Sequence, residues 1–194
     1  MQSLGFVFGA VCTLRDAGFL PNIYDAGRSL HDYGCAEGDG TAALASLLPH
    51  LMIKGFDISP IAVARAQQRW PTLPFEVGDI RSPKTAANVI WTSHTLEHLV
   101  NPEQVVGVLR QYCKWLIVLV PPTPGNEVTG PHIGAVPFEE WIDKVAVRPN
   151  NCYSFATTRQ RRIHSGLEMC EESSRLLIWE GNNPMAGTWS AVQR

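Results

Sequence analysis

Three aspartates in this chain, Asp32, Asp57 and Asp79, stand 25 and 22 residues apart. That spacing is about one strand-plus-helix unit, so the three carboxylates fall at equivalent ends of successive strands and line one rim. The first of them opens "DYGCAEGDGT", residues 32–41, where Gly34, Gly38 and Gly40 are interleaved with Glu37 and Asp39. Glycines at such density let a ligand approach the main chain closely. The acids limit which ligand. A dinucleotide fingerprint wants three glycines and an acid about 20 residues on, and Gly38, Gly40 and Asp57 mimic it loosely. A pyrophosphate, however, would meet Asp32 beneath the loop and Asp39 within it. A cationic ligand would not be repelled. The sulfonium and α-ammonium of S-adenosylmethionine are groups of that kind, its ribose diol suits a carboxylate at Asp57, and its adenine amino group suits one at Asp79.

The elements that hold these residues follow from the patterning. "RSLHD" (28–32) reads as a first strand, with Leu30 its only strong apolar residue. "GTAALASLLPH" (40–50) is a helix ended by Pro49. "LMIKGFDIS" (51–59) is a strand with its acid at the C-terminal end, and "SPIAVARAQQRW" (59–70) a helix with Ser59 as N-cap and Pro60 first in the helix. "LPFEVGD" (73–79) and "ANVIWTSH" (87–94) are strands, "PEQVVGVLRQYC" (102–113) a helix, and "KWLIVLVPP" (114–122) the most apolar strand. Alternating strands and helices imply parallel βαβ units with right-handed crossovers and helices on both faces. Residues 1–24 read as a short helical or irregular lead-in and 122–137 as a long loop. "FEEWIDKV" (138–145) reads as a helix, and 148–174 is ambiguous. "SRLLIWEG" (174–181) and "GTWSAVQR" (187–194) read as two late strands around a Gly-Asn-Asn-Pro turn.

In order and spacing these motifs resemble the class I S-adenosylmethionine-dependent methyltransferases, of the small-molecule or glycan branch. "DYGCAEGDGT" resembles their first motif, "GFDIS" the second and "VGDI" the third. "IWTSHTLEHLVNP" resembles their fourth strand and turn, and "LIVLVPP" their fifth strand; the likeness covers residues 29 to about 142. It implies an α/β, Rossmann-like, mostly parallel seven-stranded sheet with helices on both faces and a late antiparallel hairpin. It also implies a single domain: lead-in 1–24, cofactor half 25–122, and acceptor loop, helix and final strands over 123–194. By the same resemblance Gly34, Cys35 and Gly38 approach the cofactor with their backbone, and Asp32 lies near its methionine end. Asp57 binds the ribose hydroxyls, Ile58 packs on the adenine, and Asp79 with Ile80 reads its edge. Ser93 and His94 lie near the methyl group. The chain departs from the family at Ala36, which replaces a glycine and is expected to keep a negative φ. Ser29 and His31 stand where aliphatic residues are usual, and the short lead-in implies a minimal lid.

A hydroxyl acceptor benefits from a general base, and histidine suits that task near neutral pH. The candidates are His94, His98 and His132. "HTLEH" (94–98) also matches an inverted zinc-protease motif, with His94 and His98 as ligands, Glu97 as base and Glu171 or Glu172 as third ligand. That motif must lie within a helix, whereas here a strand feeds it and Pro102 follows. The expectation is therefore no metal, and Glu97 and His98 also fit a purely structural role tying the turn to its neighbours. Arg159, Arg161 and Arg162 could bind a phosphate or carboxylate or form a solvated face. Trp91 and Trp141 could stack on a ring or belong to the core.

The chain has 194 residues, 45% apolar and 18% charged, with a net charge of −2. Such a chain has no basic field to draw in nucleic acid or an anionic membrane. Its five cysteines, Cys12, Cys35, Cys113, Cys152 and Cys170, form no C-x-x-C pair, and their odd count reads as reduced thiols and a cytoplasmic location. "LGFVFGAVC" lacks a basic flank, so no signal peptide is expected. The leading expectation is methyl transfer from S-adenosylmethionine to oxygen of a small metabolite or sugar. The alternatives are a non-catalytic cofactor- or partner-binding module, and after it an RNA or protein methyltransferase. A purely structural glycine turn is the remaining reading.

Overall fold

In the computed structural model, which describes residues 3–120, 142–163 and 166–183, the sequence punctuation sets most boundaries. Ser59 caps its helix, its hydroxyl accepting from Ala62 N–H at 3.3 Å, with Pro60 next in line. Five strands run parallel in the first part of the chain: β1 (Ser29–Tyr33), β2 (Met52–Asp57), β3 (Phe75–Val77), β4 (Val89–Ser93) and β5 (Trp115–Val120). Two antiparallel strands, β6 (Asn151–Ile163) and β7 (Gly166–Glu180), complete a seven-stranded sheet in the order β3-β2-β1-β4-β5-β7-β6. The helices are α1 (Ser3–Asp16), α2 (Leu20–Ala26), α3 (Asp39–Leu47), α4 (Pro60–Arg69) and α5 (Pro102–Leu109).

Strand alternation divides the core into two layers. Leu30, Ile53, Val89, Trp91, Ile117, Leu119, Leu176 and Ile178 point to one face and pack with Phe6, Val7, Ala10, Val11 and Leu14 of α1, Ile23 of α2 and Leu44 of α3. Tyr33, Phe56, Ile90, Leu116, Val118, Leu177 and Trp179 point to the other face and meet Val105, Val106 and Leu109 of α5, Ile80, Leu96, Ile142 and Val145. Trp91 is wholly buried, which settles its alternatives in favour of the core.

The structure decides or corrects the expected layout in three places. The lead-in takes the helical of its two readings, as two helices built into the core, because Phe6, Val7, Ala10, Val11 and Leu14 recur at helical spacing on one face. The ambiguous stretch is β6 and much of β7, which pair as an antiparallel hairpin with Ile163 opposite Gly166. β6 is an edge strand whose described side chains alternate half-buried (Tyr153, Phe155) with exposed (Cys152, Ser154, Ala156), a weak apolar signal. Third, Ala36 adopts φ +47°, not the negative φ expected of it. The predicted strand 187–194, the loop 123–137 with His132, and Trp141 lie outside the described residues, as does 138–141 of the predicted helix.

Candidate cofactor and methyl-transfer site

The glycine loop leaves β1 and is drawn back onto β2. Gly34 N–H and Cys35 N–H both donate to Phe56 C=O, at 2.8 and 3.1 Å, and Gly38 N–H donates to Cys35 C=O at 2.9 Å. Asp57, at the end of β2, accepts from Ala36 N–H through Oδ2 and from Ser59 N–H through Oδ1, each at 2.9 Å. Its carboxylate thereby holds Ala36 in the left-handed region, where a methyl-bearing residue is disfavoured. Gly34 lies at φ +82°, and a Cβ there would run into Thr95 of the turn after β4. Gly38, at φ +84°, is pressed against the rings of Phe75 and Trp70, 2.7 and 2.9 Å from where a Cβ would sit. The Cys35 side chain turns away from the loop into a cluster with Val63, Ala66 and Phe75, where burial pushes its thiol up, so only its backbone is left to face a ligand.

The structure brings the three rim aspartates to successive strand ends, in different states. Asp32 is 4% exposed and accepts a 2.6 Å hydrogen bond from Thr41 Oγ1; burial pushes its carboxyl up to about 6, against the pull of that bond. Asp57 is occupied with the loop as described. Asp79 is gripped by Arg81, whose Nε lies 2.9 and 3.1 Å and whose Nη2 lies 2.7 Å from its oxygens, and this holds its carboxyl below the usual range. Ile58 is 61% exposed beside Asp57, an apolar surface open to a flat ring, while Ile80 is buried in the core. Two surface arginines of α4 steady the loop: Arg65 Nη1 lies 2.8 Å from Glu37 and Arg69 Nη1 3.0 Å from Asp39.

At the end of β4, Ser93 C=O accepts from Thr95 Oγ1 at 3.1 Å. His94 N–H extends the ladder to Leu119 C=O at 3.0 Å, and the chain then turns sharply at φ +52°. The His94 ring packs on Phe6 of α1 with centroids 4.3 Å apart, and its Nδ1 lies 3.5 Å from Glu97 Oε1. Residues Leu96–His98 form a single 3-10 turn, so "HTLEH" does not present His94 and His98 on one helix face, as the zinc motif requires. No cluster of three His, Cys, Asp or Glu suited to a metal occurs among the described residues. His98 lines a surface cavity of about 330 Å³ with Arg81, Leu99, Asn101 and Gln104. The side chains of Arg159, Arg161, Arg162, Glu171 and Glu172 are outside the described ones. Phe6, Thr41, Arg81 and Thr95 belong to the site without having been singled out from sequence; Thr41 was the most accessible of them, since it follows the last loop glycine directly.

The arrangement fits a ligand bearing positive charge better than a pyrophosphate. A phosphate site at such a loop needs free backbone N–H groups. Those of Gly34, Cys35, Ala36 and Gly38 are spent on protein oxygens, and carboxylates occupy the rim.

Comparisons with known proteins agree with the geometry. The chain is 29% identical over 102 residues to a trans-aconitate 2-methyltransferase of Deinococcus radiodurans, a match covering 52% of this chain and 40% of that one. It is 33% identical over 70 residues to the enzyme of the same name from Methylobacterium nodulans, covering 35% of this chain and 27% of the other. It therefore spans well under half the length of these curated relatives. The solved structure of magnesium protoporphyrin IX methyltransferase from Synechocystis PCC 6803 with bound SAH superposes with a TM-score of 0.59 at 16% identity, over 90% of this chain and 82% of that one, a likeness of fold. A family model described as "Methyltransferase domain" matches residues 6–159. With that match spanning every motif and both core layers, the chain belongs to the methyltransferase-domain family.

Proposed function

We propose that the protein binds S-adenosylmethionine and transfers its methyl group to a small-molecule acceptor, at oxygen, by in-line displacement. The observation that carries this reading is the carboxylate rim around a loop in which the N–H groups of Gly34, Cys35, Ala36 and Gly38 are already spent. Asp57 is placed to take the ribose hydroxyls on the lone pairs left free by Ala36 and Ser59. Ile58 offers its exposed face to the adenine, and Asp79 with Ile80 the pocket edge. The backbone of Gly34, Cys35 and Gly38 runs alongside, and Asp32, Ser93 and His94 border the methionine end. When bound, the cofactor supplies an electrophilic methyl group on a sulfonium. The chain's part is to align donor and acceptor, which contributes ~7–11 kcal/mol in favourable cases, and to take the acceptor's proton. His94 and His98 stand near the strand ends, and His132 remains a candidate from sequence.

The acceptor class drawn from the relatives' names is a small carboxylic acid; a sugar is the other small-molecule reading. The deciding experiment supplies methyl-labelled S-adenosylmethionine with a cell extract as acceptor pool and separates small molecules from macromolecules. Label in the small-molecule fraction is expected. Label confined to RNA or protein would overturn the acceptor class. Binding of S-adenosylhomocysteine with no transfer to any fraction would assign a non-catalytic module.

A further inference from the structure

The turn after β4 holds two buried polar atoms that nothing satisfies. His94 Nε2 and Glu97 Oε2 are both out of contact with solvent, and neither has a hydrogen-bond partner. Such atoms are uncommon in folded proteins, because each forfeits the hydration it had in the unfolded chain. The two belong to one unit. The other imidazole nitrogen, Nδ1, and the other carboxylate oxygen, Oε1, face each other at 3.5 Å, and the Glu97 side chain is 9% exposed. Phe6 closes over the imidazole from α1. The backbone at His94 is held at φ +52°, a conformation that costs of order 1–3 kcal/mol for a residue with a side chain and persists only where its surroundings impose it. Strain, an aromatic wall and a buried carboxylate all act on one ring at the strand end that the proposed function assigns to the methyl group.

We propose that Glu97 is the positioning residue of a His94–Glu97 pair: its carboxylate holds the proton on His94 Nδ1, so that the lone pair rests on Nε2, which is closed from solvent here and meets the acceptor only when the acceptor displaces what covers it. The nitrogen that carries the proton in a neutral imidazole is set by the hydrogen bond its partner nitrogen makes. A carboxylate facing Nδ1 therefore leaves Nε2 as the base. The 3.5 Å separation is longer than a good hydrogen bond, as catalytic contacts often are before substrate binds. The proposal rests on the methyl-transfer reading for its chemistry. The acceptor's X–H proton passes to Nε2 while its electron pair forms the X–CH3 bond. The C–S electron pair stays on sulfur, and the imidazolium left behind stands against the Glu97 carboxylate.

The tautomer can be read without cofactor or acceptor, by long-range proton–nitrogen correlation spectra of protein carrying 15N-histidine. His94 is assigned by the signal missing from His94→Asn. At pH 8 the wild type is expected to show a protonated-type shift at Nδ1 and an unprotonated-type shift at Nε2. Glu97→Gln, whose amide oxygen still accepts, should keep that pattern. Glu97→Ala should raise the Nε2-protonated form from a minority to the majority. A wild-type ring protonated on Nε2 overturns the proposal, as does a tautomer unchanged in Glu97→Ala. Should Glu97→Ala fail to fold, the wild-type spectrum decides by itself. Calorimetry with S-adenosylhomocysteine tests the underlying reading separately.

Discussion

His31 and Asp32 are neighbours on β1, point to opposite faces and carry opposite shifts. Burial, helped by Lys54, lowers His31 to about 4, and burial raises Asp32 to about 6. Each works against the other in the pH dependence of stability. A carboxyl raised on folding contributes stability that is full below its unfolded value near 3.8 and is lost as pH rises through about 6. An imidazole lowered on folding contributes stability that is full above its unfolded value near 6.5 and is lost as pH falls through about 4. Between pH 4 and 6 the native state therefore holds one proton on Asp32, where the unfolded chain holds one on His31, and the two slopes cancel. Asp32→Asn should expose the imidazole's slope, with stability rising by up to about 3 kcal/mol from pH 4 to 6.5. His31→Phe should expose the opposite slope. Urea titrations at half-unit pH steps check both, and a flat profile in either variant counts against the assignment. Asp57→Ala tests the rim directly: loss of hydrogen bonds to a charged group is worth about 1.5–3 kcal/mol, so S-adenosylhomocysteine should bind roughly 10- to 150-fold more weakly by calorimetry.

Among the elements, two contacts tie the rim to the sheet. Asn88, just before β4, accepts from Ser29 N–H and Oγ at 3.0 and 2.7 Å and donates Nδ2–H to Ala26 C=O at 2.7 Å, so one side chain joins α2, β1 and β4. It fills the space beside Gly27, where a Cβ would lie 2.5 Å from the amide. Asn88→Ala strands buried backbone groups and should destabilise the fold by about 1–3 kcal/mol, read in urea midpoints. At the other end, Gly34→Ala meets both a left-handed backbone and Thr95. Adding Thr95→Gly, which removes the Oγ1, Cγ2 and Cβ atoms that an added Cβ would meet, should return the steric part of the loss and leave about 1–2 kcal/mol of backbone cost, which a double-mutant cycle separates. The motifs from Asp32 to Pro102 were legible because caps, prolines and strand-end acids report local chemistry. Asn88 was not, since an asparagine before a strand looks like any turn residue. The conformation of Ala36 escaped because a tertiary contact, the Asp57 carboxylate, overrides its preference. β6 escaped because an edge strand needs no apolar run. Glu97 was read as a structural tie, and only the three-dimensional turn shows its carboxylate against His94.

For the molecule as a whole, the strand order departs from chain order at one place that matters. β7 is inserted between β5 and β6, pairing Arg175–Glu180 with Trp115–Val120, and Leu176, Leu177, Ile178 and Trp179 are wholly buried there. The apolar β5 therefore stays a bare edge until the chain returns from well beyond it. A chain cut after residue 150 should keep β1 to β5 yet associate through that edge; sedimentation would show large species, and a monodisperse monomer would contradict the expectation. The same order sets a clock during synthesis. Val120 and Glu180 lie sixty residues apart, about 3–12 s of elongation at about 5–20 residues/s. For that interval each nascent chain exposes "WLIVLV" to its neighbours on the same message, so crowding of ribosomes, rather than the stability of the finished fold, sets how much protein is lost to aggregation.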